Sequence, residues 1–359
     1  MAEFPTHPDA LLPGWLAQRL RSAGLLDEGE VTALSWEPIG TGQVGDSVRF
    51  SVNYDRADAG PATIAGKFPA ADPTSRATAA AFGLYAKEVG FYRELAPALD
   101  VRAPKAYAAE LADNEIDFIL LFEDLGPARS GNQLASCGLE DARAAIRQAA
   151  ALHAPSYGNA VLTGANWLQS RPEVTAQINA LYPNAQAIFR DRYDGLLEPE
   201  LMQVCEGLND TIGHWFGRNV VSKSLIHGDF RLDNMLFDIH GGAEAIAVLD
   251  WQTVAVGNGL TDIGYFLGCG IGSALRRPHE VELLALYCEE MSRRGVQMNP
   301  ADIWDDYRIG ALHGLSTAVF SAAYVERTPR GDENFLSMAR GACELALDHD
   351  SLGALRKGH

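Results

Sequence analysis

The sequence predicts an α+β chain in which a small antiparallel-sheet lobe is followed by a larger, mainly helical lobe. Three observations lead to this prediction. Apolar residues alternate in the first third of the chain, the composition changes after Gly126-Pro127, and long helical patterns dominate the remainder. We therefore expect an N-terminal lobe over 1–125 and a C-terminal lobe over 126–359.

The first lobe begins with an amphipathic helical pattern over 9–23 and then becomes rich in strands. Residues 46–54 place Val48, Phe50, Val52 and Tyr54 on one face by strict alternation, which indicates a half-buried strand. Further strands are predicted at 62–68, 104–112 and 115–123, the last two as a hairpin, with a helix over 76–96.

The second lobe is predicted from helical periodicity. The expected helices are 139–153, 173–190, 198–217, 278–294, 301–324 and 332–350. Only the strand-like segments at 235–238 and 244–251 interrupt them.

Composition and charge narrow the classes of partner. The chain has 359 residues, is 47% apolar and 21% charged, and carries a net charge of −18. This acidity disfavours nucleic acid and anionic membranes as partners, because both need a basic surface. Attraction of a cationic substrate is an alternative use of the charge, although a solvated acidic surface explains it more simply.

The cellular compartment is predicted from what the sequence lacks. No apolar run has the 18 or more residues of a membrane span, and residues 1–20 do not resemble a secretory signal. The five cysteines are scattered and never CxxC-spaced, which disfavours a disulfide framework or structural zinc. We therefore expect a cytoplasmic protein.

Two linked motifs in the second lobe point to phosphoryl transfer. The segment HGDFRLDN contains Asp229 and, five residues later, Asn234; two apolar strands then lead to Asp250 in the segment LDW. Phosphoryl transfer needs a carboxylate that orients the attacking hydroxyl, and oxygen ligands for Mg²⁺ on the nucleotide phosphates. Each residue alone reads as a turn or cap residue, but the combination predicts a kinase.

These motifs resemble those of the aminoglycoside phosphotransferase-like kinases, and within them the choline/ecdysteroid-kinase-like branch. The resemblance implies a protein-kinase-like fold that uses ATP and Mg²⁺. It implies Asp229 as catalytic base and Asn234 and Asp250 as magnesium ligands. Asp262, in the segment GLTDIG, is expected to be a structural helix cap.

The first lobe carries a glycine-rich segment, GTGQVG, with Gly40, Gly42 and Gly45. A strand follows it instead of the helix that a dinucleotide-binding fingerprint requires, so a kinase loop covering the triphosphate is the better interpretation. A plain glycine-rich hairpin turn is the alternative.

Lys67 lies in the middle of an apolar strand, where a lysine is costly unless it is paired. On the following helix Glu88 is the charged member of an apolar stripe, which predicts it as the partner; Glu94 lies off that stripe. By the resemblance, Lys67 holds the α- and β-phosphates and Ala65 lies against the adenine. Two exposed charges at Lys67 and Glu88 are the alternative.

The remaining predictions concern backbone contacts and two histidines. By the resemblance, the backbone at Glu123 and Leu125 meets the adenine edge, whereas an ordinary strand exit is the alternative. His153 is expected to be a packing histidine. His227 is expected to support the loop that carries Asp229.

Together these features predict an ATP- and Mg²⁺-dependent phosphotransferase that acts on a hydroxyl group of a small molecule. The motifs are HGD instead of HRD and DWQ instead of DFG, which disfavours a protein kinase. A catalytically silent nucleotide- or metabolite-binding protein of the same fold is the alternative. Aminoglycosides, choline-like amines and steroid-like alcohols all remain open as acceptors, and the sequence does not predict an oligomeric state.

Overall fold

The computed structural model describes residues 3–40, 44–169, 172–218, 220 and 223–357. The chain divides into two compact units. The first unit comprises Met1–Ala98, Ala103–Pro127 and Leu249–Thr253. The second unit comprises Leu99–Arg102, Ala128–Val248 and Val254–His359.

An antiparallel sheet forms the body of the first unit. Its strands are β1 Val31–Pro38, β2 Gly45–Tyr54, β3 Thr63–Pro69, β4 Ala106–Leu111 and β5 Phe118–Glu123. Within the described residues the sheet has the order β1-β2-β3-β5-β4. The buried faces of β2 and β3 build the core through alternating residues such as Val48, Phe50 and Ile64. The helices of this unit are α1 Pro13–Ser22, α2 Pro73–Ala81 and α3 Leu84–Gly90.

Two features of the first unit differ from the sequence-based expectation. Strand β1 has no predicted counterpart, because most of its residues are exposed on the edge of the sheet and so give no apolar alternation. The continuous helix predicted over 76–96 was wrong. Gly83, with φ of +66°, separates α2 from α3, and such left-handed backbone favours glycine.

The second unit is mainly helical. Its helices are α4 Leu139–Ser156, α5 Ala160–Thr163, α6 Pro172–Tyr193, α7 Pro199–Asp210, α8 Ile212–Gly217, α9 Ile239–Gly242, α10 Leu260–Tyr265, α11 Gly272–Arg293, α12 Pro300–Tyr324, α13 Pro329–Asp348 and α14 Ser351–Lys357. The strands are β6 Arg129–Ser130, β7 Ser224–Ile226, β8 Met235–Asp238, β9 Glu244–Val248 and β10 Ala255–Gly257. They pair antiparallel in the orders β6-β8-β9 and β10-β7. The single helix predicted over 198–217 is divided at Thr211 into α7 and α8.

Helices α10 and α12 meet through their backbones at two glycines. A Cβ atom on Gly310 would lie 2.3 Å from the carbonyl oxygen of Leu260. A Cβ atom on Gly264 would lie 2.5 Å from the amide nitrogen of Ala311. Because no side chain separates the two helices at this point, the position of α10 is set by the backbone of α12.

The predicted α+β class, with an antiparallel sheet followed by a mainly helical remainder, is confirmed. Among the residues that the structure describes, we find no helix with both the length and the apolar character of a membrane span.

We expect Gly310→Ala to destabilise the chain by about 1–3 kcal/mol, because the added methyl group must displace the α10 backbone. Urea unfolding followed by circular dichroism measures the change. Gly213→Ala in α8 is the matched control, since nothing lies within 4 Å of its Cβ position and alanine is the better helix former. Equal stability of the two variants would contradict a backbone contact at Gly310.

Candidate active site

Residues 227–234, which we call the HGD loop, connect β7 to β8 and present Asp229 to several donors. The Nε of Arg231 lies 2.9 and 3.1 Å from the two carboxylate oxygens of Asp229. The hydroxyl of Tyr265 donates to Oδ1 at 2.7 Å, and the amide of Asn234 donates to Oδ2 at 2.8 Å. The carboxylate is therefore held in one orientation from three sides.

The same donors keep Asp229 ionised. Burial alone would raise the pKa of this carboxyl group, but the Arg231 guanidinium and the Tyr265 hydroxyl lower it to about 2. At neutral pH Asp229 is thus a negatively charged hydrogen-bond acceptor, the state that a hydroxyl donor requires.

The backbone of the HGD loop is anchored by Asp262. Its carboxylate accepts from the amide of His227 at 2.6 Å and from the amide of Gly228 at 3.0 Å. The expectation that Asp262 caps a helix was therefore wrong, because its oxygens bind the loop. The carboxylate is fully buried, which would raise its pKa, yet the hydrogen bond with His153 lowers it.

Three histidines support this anchor. His153 is buried, with Nε2 3.2 Å from Asp262 and Nδ1 3.0 Å from the hydroxyl of Tyr287. Nδ1 of His227 accepts from the backbone amide of Asp229 at 3.2 Å. Nε2 of His313 on α12 lies 2.7 Å from the carbonyl oxygen of Gly228 and donates to it. His153 and His227 thus have the structural surroundings that the sequence predicted for them.

Asn234 is 7% exposed and uses its amide nitrogen twice. The nitrogen donates to the backbone oxygen of Asp229 at 2.8 Å as well as to its carboxylate. This orientation leaves the side-chain carbonyl oxygen of Asn234 as the atom that can bind a cation.

In the first unit, Lys67 on β3 forms two ion pairs. Its Nζ lies 2.7 Å from Glu88 and 3.0 Å from Asp250. Burial lowers the pKa of Lys67, but the two carboxylates outweigh it and raise the pKa above its ordinary value. Glu88 is 2% exposed whereas Glu94 has a 45% exposed side chain, so the predicted pair is present and the alternative of two exposed charges is not.

Asp250 reaches Lys67 because the segment after β9 packs within the first unit. The ring of Trp251 stacks on that of Phe91, with centroids 3.8 Å apart and an interplanar angle of 5°. Asp250 has φ of +61°, a conformation that aspartate tolerates better than most residues, and Gln252 donates to its Oδ2 at 3.2 Å.

The glycine-rich segment is described at its two ends. Gly40 has φ of +74°, and Gly42 lies outside the described residues. A Cβ on Gly45 would lie 3.0 Å from Cε of Lys67, so glycine leaves room for the lysine side chain. Ala65 and Lys67 share the partly exposed face of β3, as predicted.

Residues 123–125 follow the end of β5. The amide of Glu123 donates to the carbonyl oxygen of Lys105 at 3.0 Å, and its carboxylate accepts from the Lys105 amide at 2.6 Å. Leu125 is buried. The assignment of this backbone to the adenine edge stays a prediction.

Magnesium fits the available donors. Asn234 in the second unit and Asp250 in the first unit each offer an oxygen atom, the kind of hard ligand that Mg²⁺ prefers. Over the described parts of the chain, no group of three or more His, Cys, Asp or Glu side chains has the geometry of a metal site.

Sequence reasoning missed Arg231, Tyr265 and His313. Arg231 stands inside the HGD motif, two residues from Asp229, and a buried carboxylate needs a cation, so this contact could have been proposed. Tyr265 lies 36 residues from Asp229, and His313 lies 85 residues from Gly228. Neither has a sequence signal, because only the packing of α10 and α12 brings it to the loop.

Known proteins resemble parts of this chain. Acyl-CoA dehydrogenase family member 11 of Rattus norvegicus is 29% identical over 149 residues, which is 36% of this chain and 18% of that protein. The Gallus gallus protein of the same name is 31% identical over 120 residues, 28% of this chain and 15% of that protein. The matches thus span less than a fifth of the length of these relatives.

Solved structures share the fold at low sequence identity. A variant of aminoglycoside 2′-phosphotransferase-IIIa in complex with GDP has a TM-score of 0.53 and 14% identity, over 95% of this chain and 98% of that one. Choline kinase from Cryptosporidium parvum has a TM-score of 0.52 and 12% identity, over 88% and 89% of the two chains. The predicted protein-kinase-like fold is confirmed.

The sequence model of one family covers most of the chain. It matches residues 45–298, which include Lys67, Glu88, the HGD loop and Asp250. This chain belongs to the ecdysteroid kinase-like family.

Proposed function

We propose that the chain is an ATP- and Mg²⁺-dependent phosphotransferase that moves the γ-phosphoryl group to a hydroxyl group of a small molecule. One observation carries the proposal. The carboxylate of Asp229, in the HGD loop of a kinase-like family, is partly buried, has a lowered pKa and accepts hydrogen bonds from Arg231, Tyr265 and Asn234. The GDP complex of the aminoglycoside phosphotransferase variant supports a purine nucleotide as the phosphoryl donor.

In this proposal the first unit holds the nucleotide phosphates. The ammonium group of Lys67, fixed by Glu88 and Asp250, binds the α- and β-phosphates. The glycine-rich segment covers the triphosphate, and the backbone at Glu123 and Leu125 contacts the purine edge. Asn234 and Asp250 would hold Mg²⁺, which would supply charge neutralisation at the phosphate oxygens.

The acceptor hydroxyl donates its hydrogen bond to Asp229. Its oxygen forms the new bond to the γ-phosphorus while the bond from that phosphorus to the β,γ-bridging oxygen breaks. The proton passes to Asp229 and then to solvent. A carboxylate with a pKa near 2 is a weak base, but this suffices because the loose transition state removes the proton late and depends chiefly on orientation.

The rival is a catalytically silent binding protein of the same fold. The test is Mg²⁺-dependent ATP consumption by the chain, measured over a panel of hydroxyl compounds that includes aminoglycosides, choline-like amines and steroid-like alcohols. GTP replaces ATP in a parallel series to identify the purine. Binding of nucleotide without acceptor-dependent turnover on any compound supports the rival.

The partner in this proposal is a small molecule instead of nucleic acid or a membrane, and the compartment is the cytoplasm. The net charge of −18 supports the first statement, because both excluded partners are polyanions.

We expect Asp229→Asn to lower kcat by about 10²–10⁴-fold and to leave the affinity for Mg·ATP unchanged, because the amide cannot accept the hydroxyl proton. Initial rates on an acceptor found in the panel, together with nucleotide titration, measure both quantities. Asp250→Asn should instead weaken the binding of Mg·ATP. Asp238→Asn, at an exposed carboxylate, is the control for both variants. Full activity of Asp229→Asn would contradict its role.

The pH–rate profile provides a second check. Since the folded-state pKa of Asp229 is lowered to about 2, its ionised form persists as the pH falls, and this group should cause no loss of rate above about pH 4. Tyr265→Phe removes one donor to the carboxylate and should therefore move the acid limb to higher pH. Tyr324→Phe, at an exposed tyrosine, should leave the profile unchanged. An unshifted limb in Tyr265→Phe would argue against control of the base by this hydroxyl.

Substitutions at two nearby glutamates, Glu88 and Glu94, test the ion pair of Lys67. Glu88→Gln should raise the KM for ATP about tenfold, because Lys67 loses a charged partner at 2.7 Å. Glu94→Gln changes an exposed side chain and should have no effect on the KM. The same KM in both variants would show that Glu88 does not position Lys67.

A further inference from the structure

Arg218 directly follows helix α8 and lies on an aromatic ring. Its guanidinium carbon is 3.4 Å from the centre of the Trp215 ring, and Nη1 donates to the carbonyl oxygen of Trp215 at 2.5 Å. Trp215 itself is 2% exposed. The plane of the guanidinium is thus supported from one side by a buried indole.

Arg218 is partly exposed, and its charge pairing differs from that of two other arginines of the second unit. Arg231 pairs with Asp229 and Asp233, and Arg276 pairs with Glu280. Within the described ranges no carboxylate lies at ion-pair distance from Arg218. Burial lowers the pKa of Arg218 to about 10, and Asp306 opposes this only at longer range. Its charge is therefore partly desolvated, and Asp306 is a counter-charge beyond ion-pair distance.

A row of aromatic side chains leads from Arg218 to Asp229. The ring of Trp215 lies 6.3 Å from that of His313, and the ring of His313 lies 5.5 Å from that of Tyr265. The hydroxyl of Tyr265 in turn donates to Asp229 at 2.7 Å. Burial lowers the pKa of His313, so this row adds little positive charge of its own.

We propose that Arg218 binds an anionic group of the acceptor, so that the substrate is an alcohol that also carries a carboxylate or phosphate. The inference rests on the proposed function and names the substrate class of the same site. The guanidinium offers paired N–H donors that match either anion, and His313, the partly exposed member of the aromatic row, lies between Trp215 and Tyr265. A local cation would offset the repulsion between an anion and the net charge of −18.

The alternative role of Arg218 is structural, as a cap on the last carbonyl groups of α8. The two roles differ in what a ligand charge does. If Arg218 is only a helix cap, a ligand with a carboxylate and one with an amide should bind with the same affinity. If Arg218 binds anions, the carboxylate should bind more tightly.

The test compares hexanoate with hexanamide on the full chain by titration of the intrinsic tryptophan fluorescence. We expect hexanoate to bind at least about tenfold more tightly than hexanamide. Arg218→Gln should remove this difference in affinity. Arg218→Lys should reduce it, because lysine keeps the charge but lacks the paired N–H donors of a guanidinium group. Arg293→Gln, at an exposed arginine, should leave it unchanged. Hexyl phosphate in a third titration shows which of the two anions the site prefers.

Equal binding of hexanoate and hexanamide to the wild-type chain overturns the proposal, as does an undiminished preference in Arg218→Gln. If Arg218→Gln does not fold, the wild-type comparison and Arg218→Lys decide the matter.

Measurements of turnover distinguish a failure of this inference from a failure of the proposed function. Anion binding that depends on Arg218, without phosphorylation of 6-hydroxyhexanoate or any panel alcohol, contradicts the kinase assignment alone. Equal kcat/KM for 6-hydroxyhexanoate and 6-hydroxyhexanamide contradicts the anion site alone.

Discussion

The candidate site of the second unit depends on the hydrogen bonds between the buried carboxylate of Asp262 and the backbone of the HGD loop. This carboxylate is fully buried, and a charge in that position is tolerated only when it is compensated by hydrogen-bond donors. Two backbone amides of the HGD loop and the ring of His153 supply those donors. The loop conformation and the ionisation of Asp262 therefore require each other, and the placement of Asp229 follows from both.

The same rule of compensated charge explains why each unit is organised before any ligand binds. In the first unit Lys67 lies between Glu88 and Asp250, and in the second unit Asp229 lies among Arg231, Tyr265 and Asn234. Both groups are thus held in place by several hydrogen bonds from the protein itself. Such preorganisation is the main contribution that a protein makes to phosphoryl transfer.

The parts of this arrangement that could be predicted from the sequence are those with local periodicity. Alternation placed Lys67 on a strand face with Ala65, and helical spacing selected Glu88 over Glu94. Long-range packing left no such trace. Tyr265 reaches Asp229 only because α10 crosses α12, and no spacing rule relates residues on separate helices. The break at Gly83 was missed because one glycine does not disturb an apolar stripe that continues on both sides.

The glycine contact between α10 and α12 also constrains how this protein can diverge. Where two helices touch through side chains, a substitution on one can be compensated by a smaller residue on the other. Gly264 and Gly310 have no smaller replacement, so the distance between these helices is already at its minimum. Tyr265 and Asp262 are carried on the helix fixed in this way, whereas Trp215 and Arg218 lie outside that contact. Arg218 can therefore be substituted without changing the distance between α10 and α12 that places Tyr265 beside Asp229.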